Sequence, residues 1–316
     1  MNVRYNNNRI IAIGDIHGDY LIFIELLKLA KVIDNFNNWI GGSTYVVQLG
    51  DTLDGKRPET DIEIRYLKKP YELKINFFIL KLDNEAKKCN GRVISILGNH
   101  EFYPYYKYND LQFNDDYVKK SDIKEYQERF NQSRFDYYYP GKGEGAKLFG
   151  KTRPLLLKLG KFIFCHGSLS VDFLKMYSKN NLVDISLINK EVRDWLMGKS
   201  KIKPKFIDKS DSYNPLFNRE LTDPVSMSEK ECTKIIYPLF KYLPGVKYIV
   251  MGHSSHKNIN TLCDNRVYRT DIAISRAFGG SLQDKMSRLQ VLEILQSKNK
   301  IKTRIITPNG TKIIIK

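Results

Sequence analysis

The chain has 316 residues, 42% of them hydrophobic, and a formal net charge of +17, enough length to bury a large core. The charge favours anionic partners such as phosphoproteins, nucleotides or nucleic acid, although the abundance of Lys, Asn, Ile and Tyr also fits the bias of an AT-rich genome. No apolar run approaches the ~18–20 residues of a membrane helix, and residues 1–8 lack the apolar core of a signal peptide, so the chain is expected to stay in the cytoplasm. Four cysteines, Cys89, Cys165, Cys232 and Cys263, form no C-x-x-C pair. That predicts reduced thiols and excludes a zinc ribbon.

Along the chain a short apolar run repeatedly ends in a Gly-containing polar cluster. Arg9–Ile13 leads into Gly14-Asp15-Ile16-His17-Gly18, and Tyr45–Leu49 into Gly50-Asp51-Thr52-Leu53-Asp54. Arg92–Leu97 leads into Gly98-Asn99-His100-Glu101, Phe162–Cys165 into His166-Gly167, and Tyr248–Met251 into Gly252-His253-Ser254. Continuous β-branched runs of this length predict strands buried on both faces. Between them, Tyr20–Lys31, roughly Pro70–Lys88 and Leu182–Met197 have helical periodicity. The alternation predicts an α/β layered fold with ligands at the loops beyond the strand ends.

Two regions break this rhythm. Phe102–Gly150 is polar and Tyr-rich, and is expected to be a partly helical insertion acting as a lid or substrate rim. After Gly280, the stretches Arg288–Leu295, Ile301–Ile306 and Thr311–Ile315 read as strands of a closing β-meander rather than a separate domain.

The clusters together offer Asp15, His17, Asp51, Asn99, His166 and His253, a set of hard oxygen and imidazole donors suited to two divalent first-row metals. Alternate residues leaving a strand point to one side, so Asp15 and His17 are expected to grip one ion, with Asp51 as the bridge. Asn99, His166 and His253 then supply the second. A lone histidine after a strand is usually structural, but four of the 5 histidines fall in these clusters. His256 is the exception and is read as structural.

These five blocks resemble the signatures of the metallophosphoesterase superfamily, most nearly its phosphoprotein phosphatase branch. Pro215-Leu216-Phe217-Asn218-Arg219 and Arg269-Thr270-Asp271-Ile272-Ala273-Ile274-Ser275-Arg276 are similar to the Shewanella-like protein phosphatases, a group with relatives in large DNA viruses. The resemblance implies a calcineurin-like α/β fold, with layered mixed β-sheets in a β-sandwich core flanked by helices, as one domain over residues 1–316. It implies two divalent ions, manganese before iron or zinc, held by the six donors above. A phosphate monoester would be hydrolysed by in-line attack of water held between the ions. His100 would be the general acid, oriented by Asp54, and the substrate a phosphorylated protein. If a virus encodes the chain, the expected compartment becomes a host cytoplasm or virion.

The family's arginine after the second Asp of the second block is absent, because Gly55 stands there. Arg57 or Lys56 is expected to reach round in its place, with Gly55 supplying loop freedom, and Arg219 is the expected second phosphate clamp. The same core would also serve a dinucleoside polyphosphate or a nucleic-acid end, with the basic surface and Tyr-rich insertion as the binding groove.

Overall fold

The protein is described here from a computed structural model covering residues 9–67, 70–109, 117–297 and 300–315. The signal-peptide reading of residues 1–8 and part of the expected insertion, 110–116, lie outside the described residues.

In chain order the strands begin with β1 (Arg9–Ile13), β2 (Tyr45–Gln48), β3 (Arg92–Ser95), β4 (Leu157–Leu159), β5 (Phe162–Phe164), β6 (Ser178–Lys179) and β7 (Leu182–Val183). They continue with β8 (Tyr248–Met251), β9 (Asn260–Leu262), β10 (Val267–Arg269), β11 (Val291–Gln296), β12 (Ile301–Thr307) and β13 (Gly310–Ile315). The helices are α1 (Tyr20–Leu29), α2 (Asp61–Tyr66), α3 (Tyr71–Lys87), α4 (Tyr103–Asn109), α5 (Lys120–Phe130) and α6 (Arg134–Tyr138). After them come α7 (Glu144–Thr152), α8 (Val171–Tyr177), α9 (Ile185–Leu196), α10 (Glu229–Tyr242) and α11 (Leu282–Ser287).

One mixed sheet has the order β13-β12-β11-β1-β2-β3, and the other β4-β5-β8-β10-β9. In the first, β1, β2 and β3 are parallel, while β11 pairs antiparallel with β1 and begins the closing meander. In the second, β5, β8 and β10 are parallel. Ile10, Val46 and Ile294 of one sheet share a core with Phe162, Val250 and Tyr268 of the other. The Tyr268 hydroxyl meets Thr303 Oγ1 at 3.2 Å across the sandwich. Each such apolar side chain contributes roughly 1.5–3 kcal/mol by burial.

The insertion is built from α4, α5, α6 and α7. Four of its aromatics turn inward: Tyr126, Tyr137, Tyr138 and Phe149 are buried in a second core with Trp195 and with Ile163 and Met251 of the second sheet. Two expectations are corrected. The expected helix over Leu182–Met197 starts later, because Leu182–Val183 pair with β6 and Asp184 caps α9 through Ser186 N at 2.8 Å. Cys232 and Cys263 are not reduced thiols but a disulfide joining α10 to the β9–β10 turn. They lie 31 residues apart with Cα atoms 5.3 Å apart, a proximity made by the fold and invisible to local spacing. The cysteine-based reason for a reducing compartment therefore falls away. No described helix is long and apolar enough to cross a membrane.

Candidate metal centre

All five polar clusters follow the C-terminal ends of parallel strands, β1, β2 and β3 from one sheet and β5 and β8 from the other. The loops are knitted together largely through backbone N–H groups. Ile16 N and His17 N donate to Asp51 O at 3.2 and 2.9 Å, and His100 N donates to Asp51 Oδ1 at 2.9 Å. A Cβ on Gly98 would lie 2.2 Å from Asp51 Oδ1, and one on Gly50 would lie 2.7 Å from Gly98. Only glycine permits that approach.

His17, Asp51 and His253 have φ of 41°, 53° and 73°. These left-handed conformations are uncommon outside glycine and concentrate at functional sites. His17 is thus aimed by a tight turn, not by the strand alternation expected from Asp15-x-His17.

The imidazoles are oriented by carbonyls, which can only accept hydrogen bonds. His17 Nδ1 donates to Leu53 O at 3.2 Å, His166 Nδ1 to Leu49 O at 2.7 Å, and His253 Nε2 to Phe217 O at 3.3 Å. The opposite nitrogen of each ring is left facing the centre, as in metal-ligating histidines. Asp51 Oδ2 lies 3.3 Å from His166 Nε2, 3.7 Å from His17 Nε2 and 3.8 Å from His100 Nε2. His166 Nε2 also lies 2.7 Å from Asn99 Oδ1 and 3.2 Å from His253 Nδ1.

This donor set fits a cation. Asp51 Oδ2, Asn99 Oδ1, His166 Nε2 and His253 Nδ1 converge as electron-pair donors at separations near the roughly 3 Å expected between ligands ~2.1 Å from one ion. The nearby carboxylates point the same way. Burial, then Asp271 and Asp51, push the Asp15 carboxyl well above its ordinary pKa, because several acids crowd together here. Burial and the neighbouring His100 hold His17 below its ordinary value, and burial with His166 and Arg219 takes His253 down to about 2. Both shifts favour the neutral ring, the form that ligation requires. Asp15 is buried beside the cluster and accepts from His253 N at 3.1 Å.

His100 sits differently. Its Nδ1 lies 2.7 Å from Asp54 Oδ2. Burial alone would remove its proton, but Asp51 and Asp54 outweigh burial and raise its pKa. Asp54 in turn is held ionised against burial by Arg134 and His100. An acid with a fixed tautomer and a favoured charged form results.

Of the expected phosphate contacts, Arg219 is half-exposed at the rim, with Nη1 2.9 Å from Ser254 Oγ. Arg57 lines a cleft beside Asp54, with its side chain engaged in ion pairs. Its buried guanidinium pairs with Glu63 at 2.8 Å and Asp19 at 3.6 Å and lies over the Tyr71 ring. Gly55 does not act as a flexible joint, since a Cβ there would lie 2.3 Å from His17 O. Lys56 is exposed and lines the same cleft, of about 660 Å³, with Asp54, Tyr117 and Lys119. His256 is structural, with Nε2 2.7 Å from Thr222 O.

Sequence reasoning missed the residues that hold this centre in place. Glu101 accepts from Asp51 N, Thr52 N and Gly98 N at 2.9, 2.8 and 2.7 Å and pairs with Arg153 at 3.1 Å. Its place in the Asn99-His100-Glu101 block was the available signal. Arg276 joins Asp19 and Glu63, while Arg134 joins Asp54 and Glu72. No local motif marks Arg134.

The calcineurin-like phosphoesterase profile matches residues 8–257. Shewanella-like protein phosphatase 2 of Arabidopsis thaliana is 27% identical over 95% of this chain and 78% of its own length. Shewanella-like protein phosphatase 1 of Plasmodium berghei is 32% identical over 87% of this chain and 69% of its own. Among solved structures, a cold-active protein-tyrosine phosphatase of a psychrophilic Shewanella species superposes with a TM-score of 0.70, at 20% identity over 99% of this chain and 82% of that one. The chain belongs to the calcineurin-like phosphoesterase family and is a metallophosphoesterase whose relatives are Shewanella-like protein phosphatases.

Proposed function

We propose that this chain is a phosphoprotein phosphatase, hydrolysing phosphate monoesters at a pair of divalent ions held by Asp15, His17, Asp51, Asn99, His166 and His253. Asp51, which belongs to both candidate donor groups, would serve both ions, and manganese is the favoured metal before iron or zinc. The bound ions would supply positive charge to the phosphoryl oxygens and lower the pKa of the attacking water. The rest falls to the chain's own side chains. His100 gives the proton on Nε2 to the departing oxygen, and Asp54 fixes its tautomer and stabilises its charge, a contribution on the order of 10²–10⁴-fold. Arg219 and Lys56, on the rim, orient the phosphate and the acidic residues around it.

The observation that carries this reading is the 2.7 Å His100–Asp54 pair set beside the donor cluster, because a positioned acid serves poor leaving groups such as protein alkoxides and phenoxides. Phosphoserine, phosphothreonine and phosphotyrosine all remain candidate substrates, and aromatic rings at the rim would suit the last. Tyr103 and Tyr117 lie 4.1 and 5.6 Å from the His100 ring, and Phe278 lies 5.0 Å from His17. The nucleic-acid alternative would draw stacking rings from the insertion, of which Tyr126, Tyr137 and Tyr138 are buried in a core while Tyr103 and Tyr117 stand at the rim. A panel of matched phosphotyrosyl, phosphoseryl and phosphothreonyl peptides, nucleotides and RNA ends with added manganese tests the proposal. Turnover of nucleotides or RNA with none of any peptide rejects it.

A further inference from the structure

We infer that Arg134, supplied by the Tyr-rich insertion, is a positioning residue for the general acid, which it governs through Asp54. This rests on the reading of His100 as the acid. Arg134 is among the largest fully buried side chains of the protein. Its Nη2 donates to Asp54 Oδ1 at 2.6 Å and to Glu72 Oε2 at 2.8 Å, and its Nε donates to Glu72 Oε1 at 2.7 Å. The two oxygens of Asp54 are thereby divided: Oδ1 is held by the guanidinium, and Oδ2 faces His100 Nδ1 at 2.7 Å. A carboxylate free to rotate about its Cβ–Cγ bond would present either oxygen, tilted, to the imidazole. One anchored at Oδ1 and at its backbone N, which donates to Glu72 Oε2 at 3.2 Å, cannot.

The anchor is itself fixed from the insertion. Tyr126 on α5 donates its hydroxyl to Glu72 Oε1 and meets the Tyr138 hydroxyl at 2.8 Å, and the Tyr138 ring lies 5.6 Å from the Arg134 guanidinium carbon. Tyr126, Arg134 and Glu72 are all buried. The forked guanidinium is what the site demands, since a single ammonium cannot satisfy two carboxylates on different elements in fixed planes. The insertion thus reaches the chemistry from behind, through a continuous chain of hydrogen bonds from α5 and α6 to the proton donor.

The test compares full-length, manganese-loaded parent, Arg134→Lys, Arg134→Met, His100→Asn and the Arg134→Lys/His100→Asn double variant. Turnover is measured on phenyl phosphate, whose leaving group needs a proton, and on 2,4-dinitrophenyl phosphate, whose leaving group does not. Arg134→Lys is expected to lose roughly 10-fold on phenyl phosphate and at most about 2-fold on the dinitrophenyl ester, as a misaimed acid would. His100→Asn should show the same selectivity more strongly, and adding Arg134→Lys to it should cost nothing further on phenyl phosphate. Arg134→Met can fail to fold because it strands two buried carboxylates, so the charge-retaining lysine variant, checked for bound manganese, decides. Equal losses on both esters, or additive losses in the double variant, overturn the inference while a selective His100→Asn leaves the acid assignment standing. If His100→Asn is itself unselective, the acid assignment fails and the inference falls with it.

Discussion

His100 Nδ1 lies 2.7 Å from Asp54 Oδ2, with both side chains buried. An Asp54→Asn substitution keeps the shape but removes the charge and lets an amide N–H face the ring. The expected result is a kcat roughly 10–100-fold lower on a phosphotyrosyl peptide with KM changed less than about 2-fold, because the pair acts on the departing group rather than on binding. Steady-state kinetics at fixed manganese measure this. A parent-like kcat would show that the carboxylate does not direct the histidine.

His166 stands where the most donors meet, within 3.3 Å of Asp51 Oδ2, Asn99 Oδ1 and His253 Nδ1. His166→Ala is therefore expected to lose bound metal and nearly all turnover. In the parent, removing metal with a chelator should lower the melting temperature, and restoring manganese should raise it again. The stabilisation is about 2.7 kcal/mol at a hundredfold excess over Kd if the ion binds only the folded chain. Metal analysis and thermal melts check both statements, and a chelator-insensitive melt with unchanged metal content in His166→Ala would remove the centre from this place.

Gly55 occupies the position at which the resemblance led us to expect arginine, yet its Cα approaches the His17–Gly18 backbone too closely for any side chain. Gly55→Arg is thus expected to displace the loop that aims His17, lowering metal content and turnover instead of tightening phosphate binding. Lys56→Ala, on the open wall of the cleft, should instead raise KM for acidic phosphopeptides with metal content unchanged. Activity and metal assays on the two variants separate these outcomes. A Gly55→Arg enzyme with lower KM and full metal would show that the loop yields.

The strands and the donor residues could be read in advance because both are local signals. An apolar run such as Tyr45–Gln48 announces a buried strand, and the residues just past it must face the ligand side of the sheet. What holds the donors could not be read in this way. Arg134 meets Asp54 across 80 residues, Arg276 meets Asp19 across 257, and Cys232 meets Cys263 across 31. Such pairings are set by how helices pack on the sheets, and an arginine or cysteine in a polar stretch carries no mark of its distant partner. The partners of Arg57 were equally hidden. Its closeness in sequence to the phosphate loop suggested a clamp, and Glu63 and Asp19 capture it at 2.8 and 3.6 Å.

That capture has a pH consequence. Burial would raise the Glu63 pKa, but hydrogen bonds from Arg276 and Thr60 and the charge of Arg57 outweigh it and hold the group at about 2, against an ordinary value of 4.5. A carboxyl depressed by folding stabilises the native state fully above its unfolded pKa and loses that contribution as pH falls through 4.5 toward 2. Between pH 6 and pH 3.5 the parent should therefore lose roughly 1–2 kcal/mol more stability than Glu63→Gln, whose amide does not titrate. At pH 6 the variant starts lower, because Arg57 and Arg276 lose a shared carboxylate and keep their pairing with Asp19, and breaking a buried pair costs about 3–5 kcal/mol. Denaturant unfolding of both proteins at the two pH values measures the difference directly. Parallel losses in parent and variant would mean that Glu63 is not held ionised by the two arginines, and the buried four-charge cluster beside the His17 loop would need another account.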